Sequence, residues 1–251
     1  MQKIISIAAV CPLWASPSYK SEMTSQLLFG EQATILETTR DFFLVKCEND
    51  GYEGWCMQNQ VLVMPENDMP ILKGFTVNAN AVAILNSTVV PLPIGSPVYQ
   101  DFGLDNIVFN YSQTHYCPIN EMEATVTRAV QIVLAYINTP YLWGGKSNFG
   151  ADCSGFVQQV FKLMGIFLPR AARAQVNEGK PVDFLQQAQP GDLAFFDNEQ
   201  GEIIHVGILL SSQQIIHASG FVHTDLIDTL GIVSTITGNR THQLRIIKRL
   251  F

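Results

Sequence analysis

The stretch that decides the fold is residues 141–156, which read YLWGGKSNFGADCSGF. The residues before Cys153 include three glycines and predict a loop, and the apolar segment 153–164 predicts a helix that Gly165 stops. Cys153 begins that helix, where free backbone N–H groups and the positive end of the dipole favour a thiolate. With an imidazolium nearby, such a position lowers a thiol pKa from about 8.5 to roughly 3.5–7.5. Cys153 is therefore a candidate nucleophile, and the alternative is a buried structural cysteine.

The segments on either side of this stretch predict two helices followed by strands. Asn120 and Glu123 have the spacing of an N-cap and its reciprocal acid, and apolar residues then recur at helical intervals, which predicts a helix over 121–138. Two helices followed by a run of strands predict an α+β fold with an antiparallel sheet. The predicted strands cover residues 193–196, 203–210, 214–217, 232–236 and 244–247.

Two histidines lie in consecutive predicted strands. His205 belongs to 203–210 and His217 to 214–217, and the polar run between them predicts a short hairpin loop. A register centred near Ser211 would place the two side chains directly opposite each other. Two histidines in contact suit a catalytic base and a partner that fixes its tautomer. Either residue alone is also compatible with a core histidine bonded to the backbone.

Metal binding is an alternative for the same residues, because Cys153, Asp152 and the two histidines His205 and His217 are a plausible zinc set. Against it, the sequence has no C-x-x-C and no H-x-E motif, and Cys153 is the only cysteine near the two histidines. These features favour thiol chemistry, which needs neither a metal nor another cofactor.

The first part of the chain has a different pattern, with short β-prone runs separated by turn signals such as NDG at 49–51 and PEND at 65–68. Frequent short strands of this kind predict small β-barrels. We expect one barrel over residues 1–65 and a second, more weakly marked, over 69–117, ahead of a third domain over 121–251.

Composition excludes several classes of partner. The chain of 251 residues has a formal net charge of −7 and no run rich in lysine or arginine, which argues against nucleic-acid binding. Five cysteines are an odd number, so at least one thiol stays free, which favours a reducing compartment such as the cytoplasm. Residues 3–11 faintly resemble a signal peptide or lipoprotein site, but a buried first strand fits them better. No uncharged apolar stretch reaches about 18 residues, so we expect no transmembrane helix and no membrane partner.

A set of ordered motifs marks the second part of the chain, and one further motif marks the first. In the second part they are YLWGGKS (141–147), GADCSGF (150–156), LPR (168–170), PGDL (190–193), HVGI (205–208) and IHASG (216–220). Together these motifs resemble those of the NlpC/P60 cysteine peptidases, over roughly residues 121–251. The β-rich front half resembles bacterial SH3 modules, with DGYEGW at 50–55 as the best match.

The resemblance implies both a fold and a catalytic set. The fold is a papain-like catalytic domain with an antiparallel sheet, preceded by two small SH3-like barrels. The family pattern makes Cys153 the nucleophile, His205 the base and His217 the residue that orients the base, with the hydroxyl of Tyr141 near the oxyanion. The chemistry is acyl transfer through a thioester, completed by water.

The resemblance also implies a substrate. Relatives with two SH3-like modules are γ-D-glutamyl-L-diamino-acid endopeptidases that recycle murein peptides such as L-Ala-γ-D-Glu-diaminopimelate. In that pattern Asp152 and Tyr52 recognise the free amine of the N-terminal L-Ala, and Ser154 assists. Acetylating the amine would then leave a buried Asp152 carboxylate unpaired, whereas a plain helix cap would not respond. The chain departs from the pattern at Ala171-Ala172, where relatives often carry an acidic or hydroxyl residue, so the fine specificity is left open.

Other functions and roles remain open on the sequence alone. The same thiol can serve an amidase or acyltransferase, because fold and nucleophile do not fix the acyl group. A non-catalytic wall-binding protein with a degenerate second half is a further alternative, against which the intact Cys153 and histidines speak. Tyr141 and Trp143 can also be core aromatics, and Tyr52 and Trp55 can pack inside a barrel.

Overall fold

The computed structural model describes residues 2–65, 69–104 and 106–251, and the chain forms two compact units. Of the turn predicted at 65–68, residues 66–68 lie outside the described residues. The first unit comprises Met1–Met122 and Trp143–Asn148, and the second comprises Glu123–Leu142 and Phe149–Phe251. The boundaries that we expect for the two barrels remain predictions.

A seven-stranded antiparallel sheet, in the order β3-β2-β6-β5-β4-β1-β7, opens the first unit. Its inward residues, among them Ile4, Leu13 and Val45, form a hydrophobic core. The single buried strand expected within residues 3–11 is wrong, because the backbone N–H of Ile7 bonds to the carbonyl of Gln60 and the chain turns before it resumes pairing. The strands are β1 (Lys3–Ser6), β2 (Val10–Trp14), β3 (Met23–Leu28), β4 (Gln32–Thr38), β5 (Phe42–Cys47), β6 (Glu53–Met57) and β7 (Val61–Met64).

Two smaller sheets complete the first unit, in the orders β10-β9-β13-β12 and β11-β8-β14. Their core around Leu92 and Phe109 also includes Ile5 and Phe29 from the seven-stranded part, so the two parts of this unit pack on a shared set of apolar side chains. The strands are β8 (Leu72–Thr76), β9 (Val82–Leu85), β10 (Thr88–Pro91), β11 (Pro97–Tyr99), β12 (Phe102–Leu104), β13 (Ile107–Asn110) and β14 (Tyr116–Pro118).

The second unit is built on a sheet that closes on itself. The strand order is β17-β23-β18-β19-β20-β21-β22, and β23 pairs with β22 as well as with β18, so six strands form a ring to which β17 is added. All of these pairings are antiparallel. Strand β15 (Lys146–Ser147) belongs to the first unit, and β16 (Gly150–Ala151) belongs to the second unit but lies outside this sheet. The strands of the sheet are β17 (Lys180–Val182), β18 (Leu193–Asp197), β19 (Ile203–Leu209), β20 (Gln214–Ser219), β21 (Phe221–Asp228), β22 (Gly231–Val233) and β23 (Arg240–Arg249).

Three α-helices occur among the described residues: α1 (Val126–Ala135), α2 (Cys153–Lys162) and α3 (Ala172–Gln175). All ten residues of α2 are buried, and this helix packs against β19 and β20. The start predicted for the first helix is wrong, because the hydroxyl of Thr125 accepts the hydrogen bond from Arg128 N and caps α1 five residues later than expected. No helix in the described part of the chain has both the length and the apolar character needed to span a membrane.

The α+β prediction is correct only in part. The second unit has helices packed on an antiparallel sheet, as expected, but the first unit is built from strands and the chain as a whole is mostly β. Strand β21 was not predicted, although Phe221–Asp228 is rich in β-prone residues and follows Gly220, whose φ of 75° suits a turn.

Candidate active site

Cys153 is the first residue of α2, and its side chain is almost fully buried. Asp152 is the N-cap, and its Oδ1 accepts a hydrogen bond of 2.7 Å from Gly155 N. The short parallel bridge between Tyr141 and Ala151 holds the motif loop beside the start of this helix. The predicted location of the thiol, at the point where the glycine-bearing loop enters a helix, is therefore confirmed.

The thiol of Cys153 is neutral in this setting. Burial, assisted by the charge of Asp152, raises its pKa to about 11. Hydrogen bonds from the backbone of Val206 and Ser154, and the charge of Arg170, lower the pKa without offsetting the burial. The lowered pKa expected from the helix N-terminus is thus wrong for this structure, and the thiol needs a base at the moment of attack.

The two histidines lie on neighbouring strands of the ring, His205 on β19 and His217 on β20. Because Ile208 pairs with Ile216, the hairpin is centred one residue later than the register near Ser211. Direct opposition of the two histidines is therefore wrong, and they are diagonal neighbours on one face of the sheet. His205 Nε2 nevertheless lies 2.8 Å from His217 Nδ1, within hydrogen-bonding distance.

Gly207 permits this approach of the two strands. A Cβ at Gly207 would lie 2.9 Å from the Cβ of His217 and 2.7 Å from Cδ1 of Ile215, closer than such atoms come in proteins. Position 207, opposite His217, therefore has to be glycine for the imidazole of His217 to keep its position.

We expect Gly207→Ala to lower kcat/KM by about 10²-fold for the murein peptide that the sequence motifs predict as substrate, because a displacement near 1 Å costs an active site roughly that much. Gly103→Ala is the matched control, since an added Cβ there meets only Ile107 O at 3.8 Å. Steady-state kinetics and the midpoint of thermal unfolding are measured for both variants. A Gly207→Ala protein with wild-type kcat/KM would show that the position of His217 is not critical.

Asp225 on β21 is a site residue that sequence analysis missed. Its Oδ2 lies 3.2 Å from His217 Nε2, and its Oδ1 accepts hydrogen bonds from Thr235 N at 2.7 Å and Thr235 Oγ1 at 2.8 Å. Although burial raises it, these hydrogen bonds bring the pKa of Asp225 below its ordinary value, so the group is an ionised carboxylate. The β-prone run Phe221–Asp228 was the signal that could have found it.

The contacts define the tautomers of both histidines. An ionised carboxylate only accepts hydrogen bonds, so His217 carries its proton on Nε2 and donates it to Asp225. A neutral His217 then accepts at Nδ1, and His205 donates from Nε2. The lone pair of His205 is consequently on Nδ1, which is the atom that can take up a proton.

Both histidines are held neutral by their surroundings. The pKa of His205 lies well below its ordinary value, because burial disfavours a charged ring and because His242 and His217 would repel a second positive charge beside them. Burial also lowers the pKa of His217 to about 4, although the hydrogen bond to Asp225 acts in the opposite direction. A neutral imidazole can accept a proton, as a general base must.

Arg170 pairs with Asp152 through two hydrogen bonds, Nη1 to Oδ1 at 2.9 Å and Nη2 to Oδ2 at 2.6 Å. Ser154 Oγ accepts from Arg170 Nη1 at 3.0 Å and donates to Asp152 Oδ1 at 3.2 Å. All three side chains are buried. Asp152 is therefore both a helix cap and the partner of an arginine, and the expectation that modifying a substrate amine would leave its carboxylate unpaired is wrong.

Tyr141 lies close to the thiol and remains partly exposed, at 36% of its surface. Burial, together with the nearby Cys153 and Asp152, raises the pKa of its hydroxyl to about 12. The hydroxyl therefore keeps its proton and can donate a hydrogen bond. Tyr141 is therefore not a core aromatic. Its position near the oxyanion remains a prediction.

Trp143 and Tyr52 belong to the first unit. The core position considered for Trp143 is wrong, because this side chain is 61% exposed and its indole N–H donates to Glu22 Oε1 at 2.6 Å. Tyr52 is partly buried and packs against the core of the seven-stranded sheet, as an aromatic inside a barrel would. Its role toward a substrate stays a prediction.

The side chains that lie close enough together to bind one metal ion are not the set that the sequence suggested. Among the described residues, neither Cys153 nor Asp152 belongs to a group of side chains that can reach one ion, so the zinc set considered from the sequence is not brought together. The two groups that are brought together are His205, His217 and His242, and His217, His223 and Asp225.

Comparison with known families identifies the class of protein. A model described as the NlpC/P60 family matches residues 138–240, and a model described as the bacterial dipeptidyl-peptidase Sh3 domain matches residues 13–60. The chain therefore contains an NlpC/P60 domain over residues 138–240 and, ahead of it, a bacterial SH3 domain over residues 13–60. The resemblance found in the sequence motifs is confirmed.

Particular relatives are similar over most of the chain. The γ-D-glutamyl-L-lysine dipeptidyl-peptidase of Bacillus subtilis (strain 168) is 29% identical over 214 residues, which are 77% of this chain and 71% of the relative. Dipeptidyl-peptidase 6 of Lysinibacillus sphaericus is 29% identical over 243 residues, which are 86% of this chain and 87% of the relative. The crystal structure of an NlpC/P60 family protein from Bacillus cereus ATCC 10987 has a TM-score of 0.81 and 19% identity, over 98% of this chain and 99% of that one, which is a likeness of fold.

Proposed function

We propose that this protein is a cysteine peptidase that cleaves the bond between γ-D-Glu and the diamino acid of murein peptides beginning with a free L-Ala. The observation that carries the proposal is the thiol of Cys153 at the start of α2, against β19, whose His205 ends a hydrogen-bonded chain through His217 to Asp225. The names of the relatives support the bond and the class of substrate, since they are called dipeptidyl-peptidases and one name specifies γ-D-glutamyl-L-lysine.

The first half of the proposed reaction makes a thioester. The sulfur of Cys153 attacks the γ-carbonyl carbon as its proton passes to His205 Nδ1, which is needed because the resting thiol is neutral. Backbone N–H groups at the start of α2 and the hydroxyl of Tyr141 stabilise the oxyanion. The imidazolium of His205 then protonates the amine of the diamino acid, and the C–N bond breaks.

The second half releases the dipeptide. Water attacks the thioester while His205 Nδ1 accepts its proton, and the tetrahedral intermediate expels the sulfur, which regains a proton from the imidazolium. His217 and Asp225 keep the base in one tautomer throughout. His205 Nε2 donates to His217 Nδ1, and His217 Nε2 donates to Asp225, so Nδ1 of His205 stays free to take up the proton. No metal or other cofactor takes part in either half.

Incubation with L-Ala-γ-D-Glu-L-Lys and with L-Ala-γ-D-Glu-diaminopimelate, followed by mass spectrometry, tests the proposal. We expect the dipeptide L-Ala-D-Glu and the free diamino acid as products. Release of ammonia or transfer to a second amine would indicate the amidase or acyltransferase alternative. Retention of the protein on insoluble wall without any product would indicate the non-catalytic alternative.

Acetylating the N-terminal amine of the peptide is expected to lower kcat/KM by about 10- to 100-fold. The pairing of Asp152 with Arg170 makes this smaller than an unpaired carboxylate would give, because what is lost is one hydrogen bond to a charged group, worth about 1.5–3 kcal/mol. The control is the same peptide acetylated on the side chain of its C-terminal lysine. Equal rates for the free and N-acetylated peptides would reduce Asp152 to a helix cap and remove amine recognition from the proposal.

The setting that we propose is the recycling of short, released peptides in the cytoplasm. The support is chemical: all five cysteines are free and buried, which suits a reducing compartment. Fractionation of the producing cells, with immunodetection of the protein, tests this part separately from the reaction.

A further inference from the structure

Three polar side chains, His217, His223 and Asp225, bring their ligand atoms within 4.8 Å of one another at the far end of the hydrogen-bonded pair of histidines. On β20 and β21, His217 and His223 are cross-strand partners, and Asp225 follows two residues after His223 on the same face. Asp225 Oδ2 lies 3.2 Å from His217 Nε2 and 3.2 Å from His223 Nε2. The side chains of His217 and Asp225 are buried, and that of His223 is only 14% exposed.

The other polar atom of each of these side chains is fixed by a separate partner. His223 Nδ1 lies 2.8 Å from the carbonyl oxygen of Phe221, and Asp225 Oδ1 accepts the two hydrogen bonds from Thr235. His217 Nδ1 lies 2.8 Å from His205 Nε2. Metal-binding histidines and carboxylates usually have this kind of support, because the outer hydrogen bonds orient the atoms that face the ion.

The contact of His223 with the main chain orients its other ring nitrogen. A carbonyl oxygen only accepts, so His223 carries a proton on Nδ1, and its Nε2 faces Asp225 Oδ2. This leaves Nε2 as the atom through which His223 can bind a metal ion. The contacts of 3.2 Å are long for a charged hydrogen bond, typically about 2.7–2.9 Å, and close to the edge of about 3.4 Å in a tetrahedral zinc site.

The second group of possible ligands fits a metal less well. His205 and His242 are stacked, with ring centroids 4.1 Å apart and an interplanar angle of 24°, so their in-plane lone pairs run side by side instead of converging. The 2.8 Å between His205 Nε2 and His217 Nδ1 is a hydrogen bond, and it is too short for two ligands of one ion.

We infer that His217, His223 and Asp225 form a binding site for a divalent transition-metal ion of the zinc type, and that an ion bound there inhibits the enzyme. Two imidazole nitrogens and one carboxylate oxygen are a common three-ligand zinc set, with the fourth position left to water. The partial exposure of His223 provides a path for the ion from solvent.

Inhibition follows from the tautomers, and this part rests on the proposed function. An ion on His217 Nε2 displaces the proton from that atom to solvent, and the neutral ligand must hold its proton on Nδ1 instead. The proton shared with His205 therefore moves from His205 Nε2 to His217 Nδ1, and His205 takes up one from solvent at its own Nδ1. That atom is the one required to accept the proton of Cys153, so the base is blocked without any change in the number of protons on the two rings.

Calorimetric titration with Zn²⁺ alone tests the site in a Cys153→Ala protein, so that the thiol cannot contribute. We expect one ion per chain, and a loss of at least about 100-fold in affinity when His223→Gln is added, since even outer-shell changes cost 10- to 100-fold. His115→Gln is the matched control, because His115 belongs to neither metal-binding group. Tetrahedral absorption bands of bound Co²⁺ and the unfolding midpoints distinguish a lost ligand from a lost fold.

Several outcomes would overturn the site: no binding to the Cys153→Ala protein, an affinity that His223→Gln leaves unchanged, or an affinity that His242→Gln reduces as much. For inhibition, Zn²⁺ should stop peptide hydrolysis by the wild type, a chelator should restore it, and His223→Gln should raise the half-inhibiting concentration by about 100-fold. Binding without inhibition would support the metal site but overturn the inhibition through the tautomers of His217 and His205. A wild type that hydrolyses no peptide would overturn the proposed function, while the Zn²⁺ titration would still decide the site.

Discussion

Cys153→Ala is expected to lower kcat/KM for the peptide by at least about 10⁴-fold. Among the described residues, Cys153 is the only cysteine that begins a helix, and this helix packs against the strands of both histidines. The residual rate comes only from groups that bind the substrate and stabilise the oxyanion. The affinity for the peptide should stay the same, because the thiol makes its bond to substrate only in the reaction. Product formation by chromatography and peptide binding by calorimetry measure the two quantities separately.

Cys117→Ala is the matched control for this variant. It also removes a buried thiol, but one in β14 of the first unit, and it should leave kcat/KM unchanged. Thermal unfolding of both variants shows whether either loses its fold. More than a trace of hydrolysis by a folded Cys153→Ala protein would end the assignment of the nucleophile.

His205→Ala is expected to reduce kcat/KM by about 10²- to 10⁴-fold, the usual contribution of general acid–base catalysis. The effect should be near the upper end, since burial keeps the resting thiol neutral and the reaction depends on the base. His217→Asn is expected to be milder, because an amide can still accept the hydrogen bond from His205 Nε2. Steady-state kinetics of the two variants, with thermal unfolding as the check on fold, give the comparison.

This comparison decides which of the two histidines is the base and which one orients it. An equal loss in His205→Ala and His217→Asn would argue that the rings share the proton instead of acting as base and orienter. A larger loss in His217→Asn would reverse the assignment, because the free lone pair would then belong to the other ring.

The location of the nucleophile and the proximity of the two histidines were predictable from the sequence. Cys153 stands where a glycine-bearing loop meets an apolar helical segment, and this depends only on local signals. His205 and His217 lie in adjacent strands joined by four residues, so their contact required only a hairpin. Family motifs added the expected roles but could not add the geometry.

The features that sequence analysis missed depend on tertiary contacts. The start of α1 was predicted five residues too early, because the pair Asn120 and Glu123 has the spacing of a capping box although Thr125 is the residue that caps the helix. The raised pKa of Cys153 follows from burial, which local sequence does not report. Asp225 was missed because its role depends on the pairing of β20 with β21. In the sequence, the only trace of that pairing is the alternation of buried and exposed residues along β21.

The closure of the sheet in the second unit restricts how a peptide can be recognised. A protein with an exposed sheet edge can bind an extended chain by adding it as a further strand, through main-chain hydrogen bonds alone. In the described part of the chain, β18 to β22 have a paired neighbour on both sides, so β19 and β20, which carry the two histidines, offer no such edge. The peptide that we propose as substrate contains a γ-linked D-residue, which lacks the backbone spacing that strand addition needs. A closed sheet suits such a peptide, because the selectivity then has to come from side chains and from the ends of the peptide.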